Sequence, residues 1–363
     1  MNKQCWMASA VLLIMTAGAE AEDGATPDFQ LSAADRAQIN LGQAGLLRSY
    51  FESDQFGTVQ WRTGQGRITI GAAEALGRSH SDYKDGTTDA VIPLNFIFGL
   101  PSGDSAIRLG LKGTFANGGD NLVELDGTTS RIDLQYLQFP NADLMWGIGG
   151  FYEYTDMDIE GSGTVKRPAG GVRGDLLYEF DENWGVAARA EYSWGENDVE
   201  IGVGPGVTMR HKQGDNYLYT QAELIGQFRS ADIGFIPEGW VAHPILGAQF
   251  RRSFIEATAN NFGVVSSGVV GSTENYGTAW AHLRLEKEVP PGGWSPNFLV
   301  GFEREYVNDL DSIVSEPNYA VVGAGLSTMF GGGTRFEVSY TRHQGLEGIR
   351  SNQGIVGTLT MEF

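Results

Sequence analysis

From about Arg67 to the terminal Phe363 the chain repeats one pattern, with apolar residues at every second position and Arg, Glu, Gln, Thr or Gly between them. A period of two belongs to β-strands whose two faces differ. Ile107, Leu109 and Leu111 alternate with Arg108, Gly110 and Lys112, and Ile132, Leu134 and Tyr136 alternate with Arg131, Asp133 and Gln135. Val186, Ala188, Ala190, Tyr192 and Trp194 interleave with Arg189 and Glu191, as Phe336, Val338 and Tyr340 do with Arg335, Glu337 and Ser339. The pattern lapses at Leu137 and Gln138, just ahead of Pro140. A soluble sandwich turns such apolar faces inward, whereas a membrane barrel turns them outward and keeps the polar face for its lumen. No stretch approaches the ~18 consecutive apolar residues of a membrane helix, so any membrane residence is as a barrel. The expected fold is all-β: a transmembrane, antiparallel, up-and-down β-barrel of about 12–14 strands with a short N-terminal helix.

About fourteen strands are read, starting with 67–77 and 90–100 and ending with 354–363. Pro101–Asp104, Pro140–Ala142, Asp181–Asn183, Pro290–Pro296 and Gly331–Gly333 read as tight turns; the connections around Asp82, Asp120, Asp158, Asp198, Asn260, Asp311 and Glu347 read as long loops. Only 230–243 breaks this alternation, being long where a tight turn is expected. Short periplasmic turns and long external loops put both termini on the periplasmic side of the cell outer membrane. Pro93 is awkward in a closed wall, because it has no N–H to pair. Either a bulge absorbs it or the first hairpin lies outside the wall. Trp184, Trp294, Phe298, Phe330 and Phe363 gather near one rim, and Tyr154, Trp194, Tyr276, Tyr306 and Tyr340 near the other, as two interfacial girdles would.

The chain divides into three parts. Residues 1–21 read as a secretory signal, with Lys3, an apolar run from Cys5 to Ala17 and a small-x-small site at Ala19-Glu20-Ala21. Residues 22–56 hold a lead and a helix over Ser32–Ser53, where Ser32 and Asp35 have capping-box spacing and Ile39, Leu46 and Tyr50 share one side. Gly42 and Gly45 weaken that helix unless they serve close packing against a wall. Residues 57–363 form the barrel. Too short on apolar surface to stand alone in water, the helix is expected to dock in the lumen, with a place at the rim as the alternative.

A net charge of −20 argues against nucleic acid as a partner. The one cysteine, Cys5, falls in the signal, so the remainder has no disulfide or thiolate metal site. Neither a metal nor another cofactor is expected. Asp156, Asp158 and Glu160 before Gly161 resemble the start of a calcium loop, but Arg167 stands where the closing Glu belongs.

A cleaved signal, a helix, roughly 300 residues of alternating strands and the terminal Phe363 together resemble the translocator barrel of autotransporters. The resemblance implies a twelve-stranded barrel with a helix threaded through its lumen. It also implies a C-terminal strand recognised by the barrel-assembly machinery; here Gly357, Leu359, Met361 and Phe363 carry that strand's stripe. Residues 22–31 leave no room for a secreted passenger, so the reading is of a solitary barrel and passenger secretion is not carried over.

The candidate functional residues are the inward charges: Arg108, Lys112, Arg131, Arg173, Arg189, Arg251, Arg284 and Arg335 against Asp133, Asp175, Glu179, Glu191, Glu223, Glu286, Glu303, Glu305 and Glu337. They make the lumen nearly neutral. Such a set is either a polar conduit whose opposed charges create a transverse field, or an ion-pair network bracing the wall. The function expected is a polar pore or a surface-exposed structural protein, with a general or substrate-selective porin as the alternative. Outer-membrane lipid, lipopolysaccharide and the assembly machinery are the expected partners, and small polar solutes the candidate cargo. A barrel-embedded hydrolase is the least favoured reading: among the five histidines only His282, beside Arg284 and Glu286, is a candidate base, and no catalytic residue is assigned.

Overall fold

The computed structural model describes residues 32–52, 87–118, 125–159, 163–267, 271–309, 316–330, 334–347 and 351–363. The signal, the lead, the strand read at 67–77 and the loop centres Asp82, Asp120 and Asp311 lie outside them.

Two helices come first: α1 (Ala33–Gln43) and α2 (Leu46–Glu52). The strands are β1 (Thr87–Gly99), β2 (Ser105–Gly118), β3 (Leu125–Asn141), β4 (Leu144–Ile159), β5 (Gly163–Asp181), β6 (Trp184–Gly204), β7 (Val207–Gly226) and β8 (Trp240–Ile255), then the short β9 (Thr258–Ala259) and β10 (Val265–Ser266). They end with β11 (Thr273–Lys287), β12 (Trp294–Asn308), β13 (Asn318–Met329), β14 (Arg335–Gly345) and β15 (Ser351–Glu362). All but β9 and β10 join into one closed barrel of thirteen strands. Neighbours run antiparallel except at the seam, where β1 lies parallel to β15.

The wall is inside out relative to a soluble barrel. On β3, Leu134 is 59% exposed while its neighbour Asp133 is 3% exposed. The same inversion recurs for Val300 against Glu303 and for Ile355 against Thr358. Apolar side chains without a protein partner on the outer face, and charges within, describe a wall made for hydrocarbon.

Pro93 stands in the wall, in β1, beside the seam. The parallel ladder pairs Val91 with Val356 and resumes at Leu94 with Leu359. The interruption falls where proline cannot donate, while the antiparallel side still pairs Pro93 with Lys112.

Asp158 lies in β4 and Asp198 in β6, so neither marks a loop. Strands β5, β6 and β7 run for 19, 21 and 20 residues, about twice what a bilayer crossing requires. Their polar alternation beyond the membrane belongs to a wall that continues into water. Between β7 and β8 the chain makes a series of turns, and Phe228 exchanges backbone hydrogen bonds with Ala242. In the β8–β11 connection, β9 and β10 pair and fold onto the inner side of β7. There His211 Nε2 lies 2.7 Å from Thr258 Oγ1, and Gln213 donates to the Glu256 and Ser266 carbonyls.

One girdle residue is misplaced by the sequence reading. Tyr276 is buried and points inward, its hydroxyl donating to Glu305 at 2.9 Å. Its parity explains this: it is in phase with Thr278, Trp280 and Arg284, all buried on the lumen face. Tyr154, Trp194, Tyr306 and Tyr340 face outward, as do Trp294, Phe298, Phe330 and Phe363.

Candidate functional site: a helix pair held in the lumen

Ser32 caps α1: its hydroxyl accepts from the Asp35 amide at 3.1 Å, and the Asp35 carboxylate takes the Ser32 amide at 2.9 Å. The Ala34 amide donates to the Gly103 carbonyl, placing this end of the helix at the tight-turn rim beside the β1–β2 turn. The single helix read from the sequence is two. Gly45 adopts φ +77°, a conformation that favours glycine, and redirects the chain between α1 and α2. A Cβ on Gly45 would lie 3.2 Å from His243 Nδ1, whereas one on Gly42 would meet only Leu47. Gly45 thus does pack closely on the wall, and the tighter approach is made by a glycine of the wall itself: a Cβ on Gly185 would sit 2.5 Å from Leu46.

Ala37, Leu41, Ala44 and Leu46 are buried against Leu137, Phe139, Met145, Leu177, Ala187 and Ile225. These wall residues are on the inner face near the tight-turn rim, where the lumen is apolar. The lapse at Leu137 is thus a change of inward chemistry from charge to hydrocarbon, made where the helices dock. Ile39 and Ser53 lie outside the side chains described.

Above this layer the helix pair meets charge on two opposite sides. Arg48 is buried and forms ion pairs with Glu286 of β11 and Glu337 of β14. Arg284 and Arg335 also reach Glu337, at 2.7 and 3.4 Å. Tyr50 contacts the other wall. Its hydroxyl donates to Gln135 at 3.0 Å, and the guanidinium carbons of Arg108, Arg173 and Arg189 lie 5.3–5.7 Å from its ring. Arg189 closes the contact by donating to the Tyr50 carbonyl at 3.1 Å.

Every lumen residue named from the sequence is on the inner face. Arg131 pairs with Asp133 and Glu191, both at 2.8 Å; Arg173 pairs with Asp175 at 2.7 Å and Asp133 at 3.2 Å; Arg189 pairs with Asp175 at 2.7 Å. These six form one network across β3, β5 and β6. Arg108 turns to the amide side chains of Asn95 and Gln135. Lys112, Glu223 and Arg251 are buried elsewhere on the inner wall, with Arg251 over the Tyr217 ring at 4.1 Å. Glu303 lies 3.2 Å from His343 Nε2. Sequence reasoning missed Arg167, which pairs with Asp215 at 2.9 Å and Glu153 at 3.4 Å. Its strand parity with Arg173 was the available signal.

Leu359, Met361 and Phe363 are on the outer face of the terminal segment, with Gly357 opening a gap between side chains. The Phe363 amide donates to Ile97, and its carbonyl accepts from Gly99. The last residue therefore belongs to the seam.

No family model and no curated protein matches the chain. Among solved structures it is similar to the beta domain of the Bordetella autotransporter BrkA, at 18% identity and a TM-score of 0.50, over 64% of this chain and 88% of that one. It is also similar to the translocator domain of autotransporter NalP from Neisseria meningitidis, at 13% identity and a TM-score of 0.51, over 82% and 94%. At these identities the likeness is one of fold. The chain is a β-barrel built on the plan of autotransporter translocator domains.

Proposed function

We propose that this chain is an outer-membrane barrel, with both termini periplasmic, whose lumen is closed by α1 and α2. The observation that carries the reading is the two-sided hold on α2, with Arg48 between two carboxylates of one wall and Tyr50 among three guanidiniums of the other. A helix lying at the rim would need neither. The wall charges act mainly as a bracing network, because the six-residue group pairs internally. Around the helices they provide the polar lining that a conduit would use on opening.

A porin with a permanently open lumen is the second reading, supported by the neutral, charged inner face. Conductance in planar bilayers tests both. The full chain should conduct weakly and a protein lacking residues 22–56 strongly; equal conductance would place the helices out of the path. The chain is read as non-enzymatic. A hydrolase needs a nucleophile within reach of its base, and His282, the one candidate base, lies beside the Trp280 ring at 6.4 Å with no nucleophile motif in the sequence to serve. Retained lipid or peptide turnover by the purified protein, lost in His282→Ala, would overturn that. The assembly machinery is the expected partner of the terminal strand.

A further inference from the structure

Among the described residues most guanidiniums of the wall point inward; four do not, and one of these, Arg210 on the long extension of β7, is paired with Glu200. The other three, Arg252 of β8, Arg304 of β12 and Arg342 of β14, are exposed on the outer, lipid-facing side. Each occupies the first outward position beyond its strand's apolar run, on the long-loop side. On β12 that run is Trp294, Phe298, Val300 and Phe302; on β14 it is Phe336, Val338 and Tyr340; on β8 it is Leu246, Ala248 and Phe250, and a single outward aromatic, Tyr306 on β12 and Phe254 on β8, follows the arginine.

The pairing registers align the three around the wall. Arg304 faces Ala279, and Ala279 faces Ala248, four residues before Arg252. In the other direction Arg304 faces Asn318, whose carbonyl accepts from Leu346, four residues after Arg342. The two offsets are equal and opposite, as for positions at one height on strands tilted to the barrel axis. Tyr306 and Tyr340, exposed beside them, mark the same level as a membrane interface.

Among the described residues none of the three pairs with a carboxylate. Arg252 donates to Asn275 Oδ1 at 2.7 Å, and Asn275 in turn donates twice to Asp309 at 2.8 Å. Arg342 donates to Gln344 Oε1 at 2.8 Å. Uncharged partners fix the Arg252 and Arg342 side chains without neutralising them. The cations on the long extensions differ: Arg210 pairs with Glu200 at 3.0 Å, and Lys212 lies 3.5 Å from both Glu196 and Asp198. Guanidinium recognises phosphate through parallel N–H donors, and a row of them at hydrocarbon's edge fits headgroups rather than a soluble anion.

We propose that Arg252, Arg304 and Arg342 form a binding site for the phosphates of anionic lipid in the leaflet at the long-loop rim. This rests on the outer-membrane reading. The full chain is reconstituted in phosphatidylcholine vesicles containing bisphosphorylated lipid A, extracted gently, and its retained lipid is read by native mass spectrometry. Wild type should retain lipid A more than about tenfold better than the R252Q/R304Q/R342Q variant. Dephosphorylated lipid A should be retained equally weakly by both, and inorganic phosphate should not displace the bound lipid. K166Q, on the outer face of β5, should behave as wild type. Equal retention by wild type and the triple variant overturns the site, as does an equal loss in K166Q or displacement by free phosphate. Heat-modifiable migration reports insertion separately: a wild type that does not insert sinks the outer-membrane reading and the site with it, whereas a triple variant that inserts normally but loses lipid supports the site alone. Should the triple variant fail to insert, the single variants R252Q, R304Q and R342Q replace it, and wild-type lipid retention by all three overturns the site.

Discussion

The ring of Phe363 stacks on that of Phe98, with centroids 5.3 Å apart and planes 16° from parallel. Phe98 belongs to β1 and Phe363 directly follows β15, the two strands of the parallel seam, so the Phe363 side chain packs on the strand that closes the barrel.

Replacing Phe363 with Ala is therefore expected to weaken closure as well as recognition. The stacked pair contributes about 0.5–1.5 kcal/mol beyond its area. The fraction of heat-modifiable, inserted protein should fall, and the urea midpoint of the inserted fraction should drop. An unchanged midpoint with reduced insertion would confine the residue to signalling.

Arg48→Ala should release α2 from β11 and β14. Charged hydrogen bonds of this kind are each worth about 1.5–3 kcal/mol, and Arg284 and Arg335 remain to partner Glu337, so the wall should survive. The expected result is a folded barrel with raised conductance and a helix cleaved faster by protease. Wild-type conductance would show that Arg48 does not hold the plug.

Gly45→Ala places a Cβ at φ +77°, a cost of about 1–2 kcal/mol, and crowds His243. It should loosen the helix pair much as Arg48→Ala does, whereas Gly42→Ala should change neither conductance nor protease resistance. Equal behaviour of the two variants would contradict the break between α1 and α2.

The lumen arginines should respond unequally to charge reversal. Arg131→Glu sets a third carboxylate against Asp133 and Glu191 in a buried site and should impair insertion. Arg335, a quarter exposed, has room to change. In the protein lacking residues 22–56, Arg335→Glu should insert normally and move selectivity towards cations, read as a shifted reversal potential across a KCl gradient.

The wall was legible in the sequence because alternation survives at the level of single residues: Arg108, Arg131, Asp133 and Glu337 took their faces from parity alone. Where parity was set aside, as at Tyr276, the assignment failed. Leu137 kept its phase and changed its chemistry, and only the docked helices supply the reason. The hold on Arg48 was not legible, since Glu286 and Glu337 lie more than two hundred residues away and the rotation of a short helix depends on the cavity it fills. The seam was hidden for a similar cause: nothing in the composition of β1 distinguishes a parallel partner from an antiparallel one, and Pro93 left open whether a bulge absorbs it or its hairpin lies outside the wall.

The parallel seam also bears on how the barrel could be assembled. Ser32 lies at the tight-turn rim, and Thr87 begins β1 at the opposite one, paired with Gly118. The two described ends of the stretch from α1 to β1, Ser32 and Thr87, are therefore held at opposite rims. If β1 paired with β15 first, α1 and α2 would have to enter an already closed cylinder. A growing, still open sheet that wraps around them needs no such passage. On that order of assembly the plug would serve as a mandrel for the wall, and the seam would be the last contact to form.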